Sequence, residues 1–328
     1  MSWYWIVLLA AAGAAAFVIV VGLVIALVAS HIITKPKGIN RLTVEWAREI
    51  QTGLGGVDFD AYDRMEKEPF TIRCDDGVEL ACEFIPALSP PPPGKPQKCL
   101  IRVHGFSQNR MISVRFIPVF RAMGYSVVLY DQRGFGDSTG FCSLGHFEKH
   151  DLAAIADWVR ERLGEDTVIG LHGESLGAIT ILEALGIVPG IAFAIPDSCS
   201  TTVFSIFKAV THLPAFPFLS GINLWARLHH GADLRDVRPI DRVANSDVPI
   251  LFIHGTKDWP MPYTESEKLY AAAKNPLSRL ELFEGVWHTG AHMMEPERYV
   301  NAVHDFVLAA EKEYFTKKEA SRCSANTK

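Results

Sequence analysis

Hydrophobic and polar positions change rhythm three times along the chain. Residues 3–29 contain no charged side chain, a run longer than the roughly 20 apolar residues that cross a bilayer's hydrocarbon as a helix. Residues 1–34 are therefore expected to form a transmembrane anchor. Residues 35–68 mix charges and glycines with weak helical periodicity, which predicts a linker containing a short helix. Two strand-like runs follow, 70–74 and 78–85, joined by Asp75-Asp76-Gly77 and expected to pair as an antiparallel hairpin.

From Cys99 onward, short apolar runs alternate with amphipathic stretches. Strands are predicted at 100–103, 125–130, 168–171, 191–195, 249–253 and 280–283, and helices at 113–123, 147–163, 264–273 and 297–314. Strand and helix in alternation imply a parallel sheet in an α/β domain. That domain is assigned to residues 69–315, followed by a polar tail at 316–328. Between Asp197 and Val248 the alternation breaks for about fifty residues, longer than usual loops, which predicts a cap at about 198–247. Phe204, Phe207, Phe216, Phe218 and Trp225 make this cap apolar. The prolines at 90–93 read as a stiff extended surface loop.

Composition narrows the class. At 328 residues the chain suits one large α/β domain with appendages, and its net charge of −5 supplies no basic field for nucleic acid. Nothing basic precedes the apolar N-terminal run, and that run exceeds the 7–15 residues of a signal-peptide core, which favours an anchor over a cleaved leader. Trp3, Tyr4 and Trp5 suit one membrane interface, and Lys35, Lys37 and Arg41 follow the span, placing the domain in the cytoplasm by the positive-inside bias. The six cysteines show no metal-ligand spacing, and no cofactor or metal is expected. A two-residue Asp76-Gly77 turn would set Cys82 opposite Thr71, away from Cys74.

Candidate chemistry begins at Gly173-Glu174-Ser175-Leu176-Gly177, which follows an apolar run and precedes a helical stretch. A strand, sharp turn and helix in this order expose the Ser175 hydroxyl as a nucleophile. A serine needs a histidine base that a carboxylate orients, delivered from loops at the same sheet edge. Asp258, after the strand at 249–253, is the first choice of carboxylate. Asp197 is the runner-up, and Asp131 suits a structural turn. His288, just past the last strand, is the expected base, with His292 its near competitor; His104 and His172 suit hydrogen-bonded structural positions. The Leu176 N–H at a helix start, with the Phe106 N–H in the loop His104-Gly105-Phe106-Ser107, would hold the developing oxyanion.

HGFS, DQRGFGDSTG, GESLG, HGTKD and VWHTG occur in this order, and over residues 70–315 the chain resembles the α/β-hydrolase superfamily. Within it the chain is similar to the serine-aminopeptidase-like bacterial hydrolases, a group with monoacylglycerol lipases and carboxylesterases that often carries an anchored N-terminus. The resemblance implies an eight-stranded, mostly parallel sheet with a lid after the sixth strand. It also implies Ser175, Asp258 and His288 as the triad and Phe106 and Leu176 as oxyanion donors. Phe106-Ser107-Gln108 departs from the glycine- and proline-rich loop of proline iminopeptidases. Ser175 stands where haloalkane dehalogenases and epoxide hydrolases need aspartate.

The expected activity is hydrolysis of carboxylic esters, small or lipid-like, through an acyl-enzyme, fading toward acid pH as a histidine base protonates. An amidase or peptidase is the alternative within enzymes. A non-catalytic binding protein on the same fold is the alternative outside them.

Overall fold

A computed structural model describes residues 2–34, 42–53, 57–212 and 215–325. Lys35, Lys37 and Arg41, on which the expected orientation rests, lie outside the described residues. Eight strands form one sheet: β1 (Glu68–Arg73), β2 (Glu79–Ile85), β3 (Lys98–Val103), β4 (Ser126–Tyr130), β5 (Val168–Glu174), β6 (Ile191–Asp197), β7 (Leu251–Gly255) and β8 (Arg279–Phe283). Their order is β1-β2-β4-β3-β5-β6-β7-β8; β2 runs antiparallel to both of its neighbours, β1 and β4, and the remaining pairs from β4 to β8 are parallel. This is the α/β-hydrolase sheet.

Helices follow in chain order: α1 (Trp3–Thr34), α2 (Val44–Gly53), α3 (Phe59–Arg64), α4 (Ile117–Ala122), α5 (Glu148–Leu163), α6 (Leu176–Ala184), α7 (Val203–Thr211), α8 (Ser220–His230), α9 (Pro239–Ala244), α10 (Thr264–Ala272), α11 (Ala291–Met294) and α12 (Pro296–Ala325). The central strands are buried along their whole length, so they read as continuous apolar runs, as strands covered on both faces must. One apolar layer joins Ile101, Leu171, Ile179 and Leu152. The other joins Leu100, Phe193, Phe120 and Phe306. Period two explains the split: Leu100 and Ile101 are neighbours that point to opposite faces.

Four expectations need correction. The β1–β2 register pairs Phe70, not Thr71, with Cys82, because the turn contains three residues with Gly77 at φ +82°. Such a loop shifts the pairing by one residue. The helix expected at 113–123 is a 3₁₀ segment at Arg110–Phe116 followed by α4, because Pro118 lacks the N–H that an unbroken α-helix needs there. The described residues between 42 and 68 hold two short helices, and the Arg48 guanidinium fastens α2 to Asp63 of α3. The polar tail continues α12 as far as Ala325; its lysines and glutamates are strong helix formers, and Lys317 pairs with Glu313 one turn earlier.

Between β6 and β7 lie α7, a kinked segment at Ala215–Leu219 in which Phe216 is extended at φ −105°, ψ 134°, then α8 and α9. Thr202 caps α7 by accepting from the Ser205 N–H, in a reciprocal capping box. The last third of α1 packs against α8 and the turn before it, so the N-terminal helix and the cap share one cluster containing Ala26, Leu219, Ile222 and Ala226.

Candidate active site

Ser175 is the single residue between β5 and α6, and it turns the chain at φ +55°, ψ −115°. A non-glycine residue in this region carries roughly 1–3 kcal/mol of strain. Its N–H donates to the Asp197 carbonyl at 2.9 Å, and its carbonyl accepts from Ile179 at 3.1 Å, which fixes the bend from both sides. The flanking glycines are steric necessities: a Cβ on Gly173 would lie 2.3 Å from the Gly177 carbonyl oxygen, and one on Gly177 would lie 2.3 Å from that of Val103.

Glu174, the variable residue of the pentapeptide, is buried between Arg102 and Arg115. Burial alone would raise its carboxyl, but Arg115 and Arg102 outweigh this and hold it below its ordinary value.

His288 Nδ1 lies 2.7 Å from Asp258 Oδ2. A carboxylate can only accept, so Nδ1 carries the proton and Nε2 is left as the basic nitrogen. Asp258 also accepts from the Met261 N–H at 3.0 Å, and His254 Nε2 stands 3.1 Å from the oxygen that His288 uses. Burial works to raise the Asp258 carboxyl; the hydrogen bonds from His254 and His288 override it and bring the carboxyl down to about 2. His254 is oriented by Ser266 at Nδ1 and by the Met261 carbonyl at Nε2.

The loop after β3 is pinned from within. His104 donates from Nδ1 to the Gly105 carbonyl at 2.7 Å and accepts the Gln132 N–H at Nε2 at 2.9 Å, and burial lowers its imidazole to about 4. The Gln132 amide returns a hydrogen bond to the His104 carbonyl, and Gly105 N–H donates to the Gln108 side chain. Phe106 is thereby presented beside Leu176, whose N–H is among the first of α6 and has no partner within the helix. Asn109 caps the 3₁₀ segment and reaches the Leu42 carbonyl, tying this loop to the N-terminal linker.

One cavity of about 250 Å³ gathers these groups. Among the described residues, Ser175 and His288 are the polar side chains that line it; Phe106, Leu176, Leu144 and Ile179 wall one side and Val203, Ile206 and Phe207 of the cap the other. Ser175, His288, Phe106 and Leu176 thus converge on one space, with Asp258 behind His288.

The competing residues sit elsewhere. The Asp197 carboxyl meets Ser198 rather than a histidine, and burial, then the nearby Glu174 charge, raise it to about 7. Asp131 is held by Arg110 and by the Arg110 and Asp137 N–H groups. His292 packs on Phe116 and Tyr299, with burial lowering it to about 4, and His172 is bonded to the Tyr299 hydroxyl.

Two contributors escaped sequence reasoning. His254 precedes Asp258 by four residues, a spacing visible in HGTKD. Ser198, at φ +58°, accepts the Thr289 N–H beside His288 and left no local signal. Among the described residues, no group of three or more histidine, cysteine or acidic side chains gathers as a metal site.

A family model described as alpha/beta hydrolase fold matches residues 98–205. The uncharacterized protein YqkD of Bacillus subtilis is 29% identical over 309 residues, covering 92% of this chain and 96% of YqkD. Among solved structures, the Pyrococcus furiosus esterase Pf2001 superposes with a TM-score of 0.61 at 21% identity, over 82% of this chain and 97% of the esterase. The Pyrococcus horikoshii acylaminoacyl peptidase superposes with a TM-score of 0.56 at 18% identity, over 78% of this chain and 44% of the peptidase. Sheet order, the strained turn between β5 and α6 and the matched family agree that this chain has the α/β-hydrolase fold.

Proposed function

We propose that this protein is a membrane-anchored serine hydrolase that cleaves carboxylic esters through an acyl-enzyme on Ser175. The observation that carries the reading is one apolar cavity into which, among the described residues, the polar side chains that reach are a strained serine and a histidine backed by a carboxylate. In the first half-reaction Ser175 Oγ bonds to the substrate carbonyl carbon while His288 Nε2 takes the hydroxyl proton. The Leu176 and Phe106 N–H groups hold the oxyanion, each such donor typically contributing about 2.7–4 kcal/mol. Collapse breaks the ester bond, and His288 returns the proton to the leaving alcohol. Water then repeats the sequence on the acyl-serine and frees the acid.

Asp258 keeps the proton on Nδ1 and stabilises the imidazolium. The lining favours esters over peptides with a free amino terminus, because among the described residues that line the cavity none is acidic and could pair an ammonium. The Pf2001 protein, similar in fold, is an esterase, in keeping with this reading.

The anchor reading rests on the 26-residue apolar stretch Trp3–Val28. The packing of residues 22–34 against the cap favours a retained helix, since a leader removed after export has no folded partner. The basic residues Lys35, Lys37 and Arg41 assign the domain to the cytoplasm. Detergent-solubilised protein and its Ser175→Ala variant, assayed on p-nitrophenyl esters of increasing chain length, test the chemistry. Equal rates in both would remove Ser175 as nucleophile. Cleavage of the domain by protease added to intact cells would contradict its proposed orientation, whereas protection agrees with it.

A further inference from the structure

Helix α1 is longer than a membrane requires. Its 32 residues span about 48 Å at 1.5 Å per residue, whereas a hydrocarbon core of about 30 Å takes about 20 residues. The surplus falls at the C-terminal end, and there the helix has two different faces.

On one face, Gly22, Ala26, Ser30 and Thr34 recur at intervals of four and are buried. A Cβ on Gly22 would lie 2.6 Å from the Pro217 ring, and one on Gly221 would lie 2.8 Å from the Ala26 Cβ. Ser30 Oγ reaches the Ile222 carbonyl at 3.5 Å, Thr34 Oγ1 lies 3.2 Å from His230 Nε2, and the Thr34 carbonyl accepts the Cys142 N–H. Small residues at this spacing let two helix backbones approach closely within or beside a bilayer.

On the other face, Val24, Ile25, Leu27 and Val28 are exposed, and the cap adds Phe216, 66% exposed, and Leu224, 52% exposed. A soluble surface rarely carries so continuous an apolar area without something that covers it. What covers it follows from continuity with the span. Pro217 meets α1 at Gly22, about 28 Å along the helix from Trp3, which is the level at which hydrocarbon gives way to headgroups.

We propose that α1 is at once the membrane span and a helix of the cap, and that their docking seats the Phe216 edge of the cap in the lipid of the same bilayer. The inference rests on the anchor reading given above. The cavity is one side chain away: Leu144 and Phe207 pack on the cluster that buries Ala26 and also line the space beside Ser175. The cap wall of the cavity therefore borders the bilayer, and a lipid-borne acyl chain has a short apolar route to the serine.

The test uses the full chain in phosphatidylcholine nanodiscs, with Cys74 and Cys323 replaced by serine. In one arm, Ala26→Cys with Gly221→Cys is oxidised. The two Cβ positions lie within about 1 Å of disulfide spacing, and a protease site between Lys37 and Gly38 is then cut. Docking predicts that α1 stays covalently attached to the domain; release of α1 from protein still labelled by a fluorophosphonate at Ser175 overturns it.

In the second arm, a fluorophore on Phe216→Cys is expected to lose at least half its emission with nitroxide-bearing lipid. The same fluorophore on Leu88→Cys, in the loop entering the opposite edge of the parallel strands, is expected to lose little. Equal quenching at the two positions overturns lipid seating, as does a Phe216 site shielded instead by a second copy of the chain. Intact mass separates the readings: a chain recovered without residues 1–34 overturns anchor and docking together, whereas a full-length chain that fails to cross-link overturns docking alone.

Discussion

The two walls of the cavity are built by different physics. The Ser175 wall rests on strand ends and directional hydrogen bonds: a strained backbone held by Asp197 and Ile179, a histidine held by Asp258, and a loop locked by His104 and Gln132. The cap wall is held by apolar contact, with Val203, Ile206 and Phe207 facing the cavity and α1 packed behind. Directional bonds fix atoms to a fraction of an ångström, as proton transfer requires. Apolar contact fixes shape and volume, as chain-length selection requires. Mutations in the two walls should differ in magnitude and kind.

The largest effect is expected at Ser175→Ala, where ester turnover should fall by roughly 10⁴-fold or more, judged by losses of nucleophiles in comparable triads. Initial rates under saturating substrate measure it. Asp258→Asn should keep the fold yet lower kcat by roughly 10³- to 10⁴-fold, because an amide can donate to Nδ1 and favour the wrong tautomer. An unchanged kcat in that variant would erase the distinction between the walls.

Gly177→Ala has no space for its methyl against the Val103 carbonyl. It should lose roughly 3 kcal/mol of stability or fail to fold, measured as a drop in urea midpoint.

Asp197 gives a weaker, pH-dependent signature. Its folded carboxyl titrates at about 7 and its unfolded one near the ordinary value of about 3.9. Between those values the unfolded chain has released the proton while the folded chain retains it, so stability should decline as pH rises from about 4 to about 7. Asp197→Asn should flatten this decline, and urea midpoints at pH 5 and pH 8 compare the two.

The smallest effect is expected on the cap side. Phe207→Ala should change KM by roughly 10-fold in favour of longer acyl chains and leave kcat for short esters nearly constant, a uniform-binding change worth about 1–2 kcal/mol. A fall in kcat as large as that of Asp258→Asn would mean that the cap wall positions reacting atoms too.

The same division explains what could be read from the chain. Buried parallel strands announce themselves as apolar runs, and the turn at Ser175 is forced by glycines that nothing larger can replace, so β5, α6 and the loops after β3, β7 and β8 were all legible. Local chemistry decided those elements. Where a single atom changes the outcome, reading failed: Gly77 at positive φ made the hairpin turn one residue longer, and Pro118 broke the helix before α4. Contacts made by residues far apart in sequence were the hardest. Nothing local in Gly22 or Ala26 announces a partner at Pro217 or Gly221, and Ser198 acquires meaning only when Thr289 arrives ninety-one positions later.

The last residue of β6 and its successor have a consequence for how such a centre can change. The Asp197 carbonyl grips the Ser175 backbone, and the adjoining Ser198 hydroxyl grips the segment carrying the His288 imidazole. Two loops from distant stretches are clasped to consecutive residues at the end of one strand, so a tilt of that strand carries both together. Drift elsewhere in the molecule can then move Ser175 and His288 as one body without prising them apart.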